Sequence, residues 1–567
     1  KARYSGGLNL IDFDLGAFSG NQDLGLVNLY ADVSEGQGLR LESLSTRILA
    51  TVEGLTYKGY TLNNFNMNGT FDGPLFNGKF DILDEYLNFS FRGKVDLAEE
   101  LPQIDIDADI VQMHLGKLQL IENNIQVSGR VNARIDNYKI NELAARIKLV
   151  DFTLIQDDTL YHKIDSLLAF SQKTNDNRRE IKVEAPQVEL SMKGIYKPTH
   201  LWPSFQHKFK QEYPEYADFM NINYDSSQVS PQEFTLQLTI HDTENWLKLI
   251  QPDLDSIYQS ETTLTWNDQK DSIYFESYIP HFRRGNQDFH DAYVYLDSRS
   301  GLSNIVTYVD SATFGRIGLE SFTGQFDLNA DTLFWSLNIW DDDRSQDRFN
   351  FDGKSFLIDS NFAFRFLNKN LKFFYDPLTI NPKNLAQINN RFIRLNDFDM
   401  DFARRTINIE SIDDKGLSLG VQNIELSLVN DILVSDKFTF QGLVSGNVSK
   451  PNIFATSALK GDFMIEDLVV NGDKYGNLSL SASSALEDAP LRVDGFLEHP
   501  DHGISFNGFL FAEATGVTED FYAVDMQLDR VPMKILTYLV QEGISDVEGH
   551  LTGKFALSGK VDQPVIT

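Results

Sequence analysis

The run Leu87-Asn-Phe-Ser-Phe-Arg-Gly-Lys-Val-Asp-Leu97 is apolar or Gly at every second position and polar in between. An extended chain turns successive side chains to opposite faces, so this reads as a strand with one oily side and one wet side. The signature returns at Ile104–Ile110, Val127–Ile135, Phe234–Ile240 and Phe555–Val561, and recurs over almost all of the 567 residues. Half-apolar strands with few helices to cover them leave a great deal of apolar surface to be placed. Where it goes decides both the fold and the function.

Asn-Gly and Asp-Gly pairs tolerate the positive φ of tight hairpins. They stand at Asn68-Gly69, Asp72-Gly73, Asn77-Gly78, Asp352-Gly353, Asn471-Gly472 and Asn507-Gly508, and read as hairpin turns between antiparallel strands. The stretch Gly442-Leu-Val-Ser-Gly-Asn-Val-Ser-Lys-Pro-Asn-Ile453 resembles Gly549–Ile566. Both run Gly-x-apolar-x-Gly and stop near a proline, which cannot donate to a ladder. Weak repeats of this kind suit a stack in which each unit touches its neighbours.

The expected fold is therefore all-β: an elongated, curled antiparallel sheet with an apolar groove, built from repeats, with a few short helices. Residues 1–197 and 227–531 form the repeat segments. An aromatic, charged, partly helical insertion occupies 198–226, and 532–567 is a short helix plus a repeat. Helices are predicted at 198–222, 243–257 and 532–543. The second would be capped by Thr243 and carry Trp246, Leu247, Leu249, Ile250 and Leu254 as its stripe. The third would run from Pro532 to Gly543. A single sheet of about 35–40 strands at about 4.8 Å spacing would reach about 170 Å.

A formal charge of −32 disfavours nucleic acid and anionic membrane surfaces as partners. The absence of cysteine suits an oxidising compartment. No apolar run approaches the 18 residues or so of a membrane span. The chain opens at Lys1 without Met and reads as an excerpt of a longer protein.

Chemistry-bearing motifs are weak. Gly416-Leu-Ser-Leu-Gly420 matches a hydrolase nucleophile pattern, but strand-like alternation follows Ser418 where that chemistry needs a helix. His499 and His502 flank a Pro-Asp turn and read as a solvated loop. Asp341-Asp-Asp343 lacks the alternating ligands of a calcium loop, and Gly36-Gln-Gly38 leads into strand instead of a phosphate-binding helix. No catalytic residue, cofactor or metal is expected.

Two arrangements bury a one-sided sheet: a closed sandwich, or a trough whose apolar residues line a groove. Inward positions rich in Leu, Ile, Val and Phe, repeated with little change, favour the trough. Such a trough solves a transport problem. A two-chain lipid in water exposes some thirty methylenes, about 20–25 kcal/mol at about 0.8 kcal/mol each. The groove set assigned by alternation is Leu87, Phe89, Phe91, Val95, Leu97, Ile104, Ile106, Ile110, Phe234, Leu236, Leu238 and Ile240.

Four stretches, taken in order, carry a family resemblance. They are Gly69–Asp81 running on to Leu97, Phe219–Leu238 with Val229-Ser-Pro-Gln-Glu-Phe-Thr-Leu236, Leu468–Leu480, and the Gly549–Ile566 repeat. Together they resemble the TamB family of the AsmA-like superfamily, in its Bacteroidota branch. The resemblance implies a periplasmic protein anchored in the inner membrane by a segment outside this chain. It also implies two jobs. One is carrying phospholipid acyl chains toward the outer membrane. The alternative is to scaffold outer-membrane β-barrel assembly and secretion with a partner of the BamA/TamA type.

Overall fold

The period-2 pattern becomes strand over most of the chain. A computed structural model describes residues 3–38, 43–96, 103–157, 160–174, 176–243, 254–314, 317–341, 345–430, 439–454, 458–484, 490–511, 521–534, 548–560 and 563–566. The fold is mostly antiparallel β, in two long, open, curled sheets of 25 and 12 strands. Helices among the described residues are short: α1 (Leu15–Ser19), α2 (Leu201–Glu212), α3 (Pro214–Phe219) and α4 (Ser427–Asn430), with isolated 3-10 turns. The chain divides into two compact units. Unit 1 holds residues 1–209, 223–285 and 293–300, and unit 2 holds 210–222, 286–292 and 301–567.

In unit 1 each strand pairs with the next in the chain, the topology of a meander. Ser45–Tyr57 pairs Tyr60–Asp72, followed by Leu75–Leu83, Leu87–Asp96, Ile104–His114 and Ile125–Asn137. The same neighbour pairing continues to Ser272–Arg284. In unit 2 one ladder runs from Leu302–Phe314 to Ile393–Asn396. The second sheet starts where Thr379–Ile380 pairs Phe398–Phe402, and ends at Gln563–Ile566.

The handover between these ladders is a closed core. Leu371, Leu378, Ile380, Ala386, Phe398 and Phe402 are buried together there. The non-strand backbone beside them is held by asparagines. Asn384, fully buried, accepts from the Phe366 N–H at 2.8 Å and donates to the carbonyls of Phe366 at 3.1 Å and Asn381 at 2.7 Å. Replacing it strands buried backbone groups, so Asn384→Ala is expected to cost about 1–3 kcal/mol. Chemical denaturation of the two proteins side by side reads this directly.

Several expectations need correction. Gly73 and the Asn471-Gly472 pair do sit in turns at positive φ. Asn68-Gly69, Asn77-Gly78, Asp352-Gly353 and Asn507-Gly508 instead lie inside strands. Their glycines serve close approach across the ladder, since a Cβ at any of them would collide with a neighbouring strand. The 198–222 insertion is helical as expected, in α2 and α3. Of the 243–257 helix, residues 244–253 lie outside the described residues, and Leu254–Ile257 begins a strand. Thr243, the expected cap, is tied to the start of that strand: its hydroxyl accepts from the Ile257 N–H at 2.9 Å. Leu254 ended the helical stripe and also opened an alternating one, and the ladder to Ser272–Arg284 won. Pro532 closes a strand, Met533 and Lys534 form a turn, and the rest of 532–543 lies outside the described residues.

Candidate functional site

Cross-strand partners in a ladder point to the same face, so one face can be followed residue by residue. In unit 1, Phe80 pairs Phe91, then Ala108, Val131, Leu149 and Leu167. A parallel row passes from Phe76 through Val95, Ile104, Ile135 and Ala145. Ile106 sits opposite Gly93 and Ala133, while Ile110 sits opposite Phe89 and Gly129. Further along, Val183 meets Leu190, which meets Leu238; Ile181 meets Met192, which meets Leu236; and Gly194 meets Phe234. Ile240 faces Val188 and Ser260. The described members of the alternation set, from Phe89 to Ile240, thus share one face of one sheet. Leu87 is paired with Met113 ahead of a bulge, and Leu97 lies outside the described residues.

The opposite face is wet. Beside Ile104, Ile106 and Ile110 stand the exposed carboxylates Asp105, Asp107 and Asp109. Arg130 reaches Asp151 at 2.7 Å across the same face. Ion pairs this exposed contribute at most about 1 kcal/mol each. They keep this side in water more than they hold the sheet together.

Burial separates an open face from a closed core. Leu87 and Phe234 are sealed at 7% and 5% exposure, but Phe89, Phe91, Val95, Ile104, Ile106, Ile110, Leu236, Leu238 and Ile240 are only half-buried. The large rings support one another along the sheet, with Phe65 stacked on Phe80 at 5.0 Å and Phe80 on Phe91 at 4.7 Å.

One rim of this face in unit 1 is closed. Met192, Tyr196, Phe234, Trp266 and Ile273 are buried together, with Leu201 of α2 packed against them. Phe205 meets Trp266 edge-on at 6.2 Å. Burial pushes the Tyr196 phenol up to about 12, as expected of a dry rim. Polar bonds clasp α2 there: Gln232, 1% exposed, donates to the Ser230 carbonyl at 2.8 Å and to Ser204 Oγ at 3.2 Å. Composition marked this insertion as unusual but did not reveal that it closes a rim.

Unit 2 carries a corresponding apolar face. Met400, Ile407, Val421, Gly446, Phe463, Leu480, Gly495, Phe506, Met526 and Phe555 form one unbroken row of cross-strand partners. A trough of about 740 Å³ lies among these strands. Gly446, Phe463, Leu480, Gly495 and Phe506 of this row line it, together with alternate residues of the same strands such as Ser445, Asp462, Ser479, Asp494 and Ser505. Ser418 lies mid-strand opposite Glu410 and Ser449, as a strand serine should. Asp341 accepts from the Ser345 and Gln346 N–H groups, while Asp342 and Asp343 lie outside the described residues.

The pair at 499–502 departs from the solvated loop expected. His502 is 6% exposed, stacks on His499 at 4.2 Å and meets Tyr475 edge-on. Its Nε2 has no hydrogen-bond partner among the described residues. The turn folds back on the cluster of Leu468, Tyr475, Leu497 and Ile504, so the ring is drawn into apolar surroundings. Burial holds His502 below its ordinary value of 6.5, and His499 and His550 push the same way against an opposing Asp501. A base depressed on folding binds protons first in the unfolded chain. Its stabilising contribution is full above pH 6.5 and lost as pH falls toward the depressed folded value. His502→Phe removes this titration, so its unfolding midpoint is expected to fall less than the wild type's between pH 8 and pH 5.

No family model, no curated protein and no solved structure matches this chain.

Proposed function

We propose that the chain is a lipid conduit, in which glycerophospholipid acyl chains move along the apolar face while headgroups stay in water. The observation that supports it is the unbroken apolar row on successive strands, with large side chains left half-buried. A sheet whose oily side was satisfied by its own core would seal those positions. A continuous hydrocarbon-compatible path lowers the roughly 20–25 kcal/mol barrier to moving two acyl chains through water. It needs no nucleophile, metal or cofactor. In keeping with the resemblance to the TamB family, the setting is the periplasm, with transfer between inner and outer membranes.

Native mass spectrometry of protein purified without detergent tests this reading. Co-purified glycerophospholipid is the expected result. A bound outer-membrane barrel-assembly protein with no lipid would overturn it in favour of scaffolding.

A further inference from the structure

Two glycines of unit 2 sit under aromatic rings. Gly495 and Gly353 lie mid-strand without the positive φ that favours glycine. A Cβ on Gly495 would fall 2.1 Å from Cζ of Phe506, its cross-strand partner, and the next two nearest atoms belong to the same ring. A Cβ on Gly353 would fall 2.0 Å from Cζ2 of Trp335, again its cross-strand partner, with the indole supplying all three nearest atoms. At both positions the ring occupies the space a side chain would take. The ring lies down on the neighbouring strand instead of standing off the sheet.

We infer that Gly353 and Gly495 set the clearance of the apolar path. Each is a seat that holds a bulky ring of its row flat against the sheet, keeping the space above open to a linear hydrocarbon tail. This rests on the lipid-conduit reading and adds to it what keeps the path clear. Any β-carbon at either seat must lift the ring, because nothing real approaches a ring atom at 2 Å. The Trp335 indole is also held by Nε1–H donating to Ser355 Oγ at 3.0 Å, a bond that suits the flat position.

The test is retention of dioleoylphosphatidylcholine, counted by native mass spectrometry after incubation with vesicles of that lipid. Gly495→Val is expected to reduce retention about tenfold, the scale of overpacking penalties. Gly495→Val combined with Phe506→Ala is expected to restore it, since the lifted ring is gone. Gly353→Ala, alone and with Trp335→Leu, repeats the comparison at an independent seat if one variant fails to fold. Lipid held equally by wild type and both single variants overturns this inference and leaves the conduit reading standing. Loss that ring removal does not rescue also overturns it, because the glycines would then serve the backbone. Wild-type protein that takes up no lipid overturns the conduit reading itself, and this inference falls with it.

Discussion

Phe89→Asp is expected to lower phospholipid retention and vesicle-to-vesicle transfer by about two orders of magnitude. Phe89 sits on the apolar face between Ile82 and Ile110, half-buried, with its ring 6.0 Å from Phe91. A carboxylate facing hydrocarbon costs about 2.5–3.5 kcal/mol on insertion scales, which is about two decades in occupancy. Because the side chain already has water on one side, the carboxylate can stay hydrated in the empty protein. The fold therefore survives while the loaded state suffers. Asn68→Asp is the control: it puts the same charge on the exposed face of a nearby strand, opposite Lys79. Transfer unchanged by Phe89→Asp in a folded protein would remove this part of the face from the path.

Much of this architecture was legible in residues 87–110, because period-2 alternation has one structural meaning once helical spacing is absent. The alternation also put Phe89, Phe91, Ile104 and Ile106 on a common face without knowledge of register. Three things were not legible. Asn77-Gly78 and Asp352-Gly353 looked like hairpin turns because the residue pair is identical whether glycine supplies positive φ or makes room. Only the partner strand, carrying Trp335 beside Gly353, distinguishes the two. His502 read as solvated because nothing local says that a turn will fold back on Tyr475. Leu254 served a helical and an alternating pattern equally well, and a long-range ladder settled it.

A paired truncation separates an open face from a sealed core. Phe398 is 4% exposed within the unit 2 core, its ring edge-on to Phe364 at 6.0 Å and to Phe366 at 6.1 Å. Cutting such a ring to Ala removes its transfer energy and leaves a cavity that neighbours fill poorly, so Phe398→Ala is expected to cost about 3–5 kcal/mol. That is a large share of the roughly 5–15 kcal/mol by which domains are stable. The denaturation midpoint should drop sharply with an unchanged slope. Phe89→Ala deletes the same atoms from a half-buried site, and about 1–2 kcal/mol is expected because less surface returns to water. The gap between the two costs is the measurement that matters. Equal costs would mean that Phe89 lies in a core as dry as that around Phe398, leaving no open surface for an acyl chain to follow.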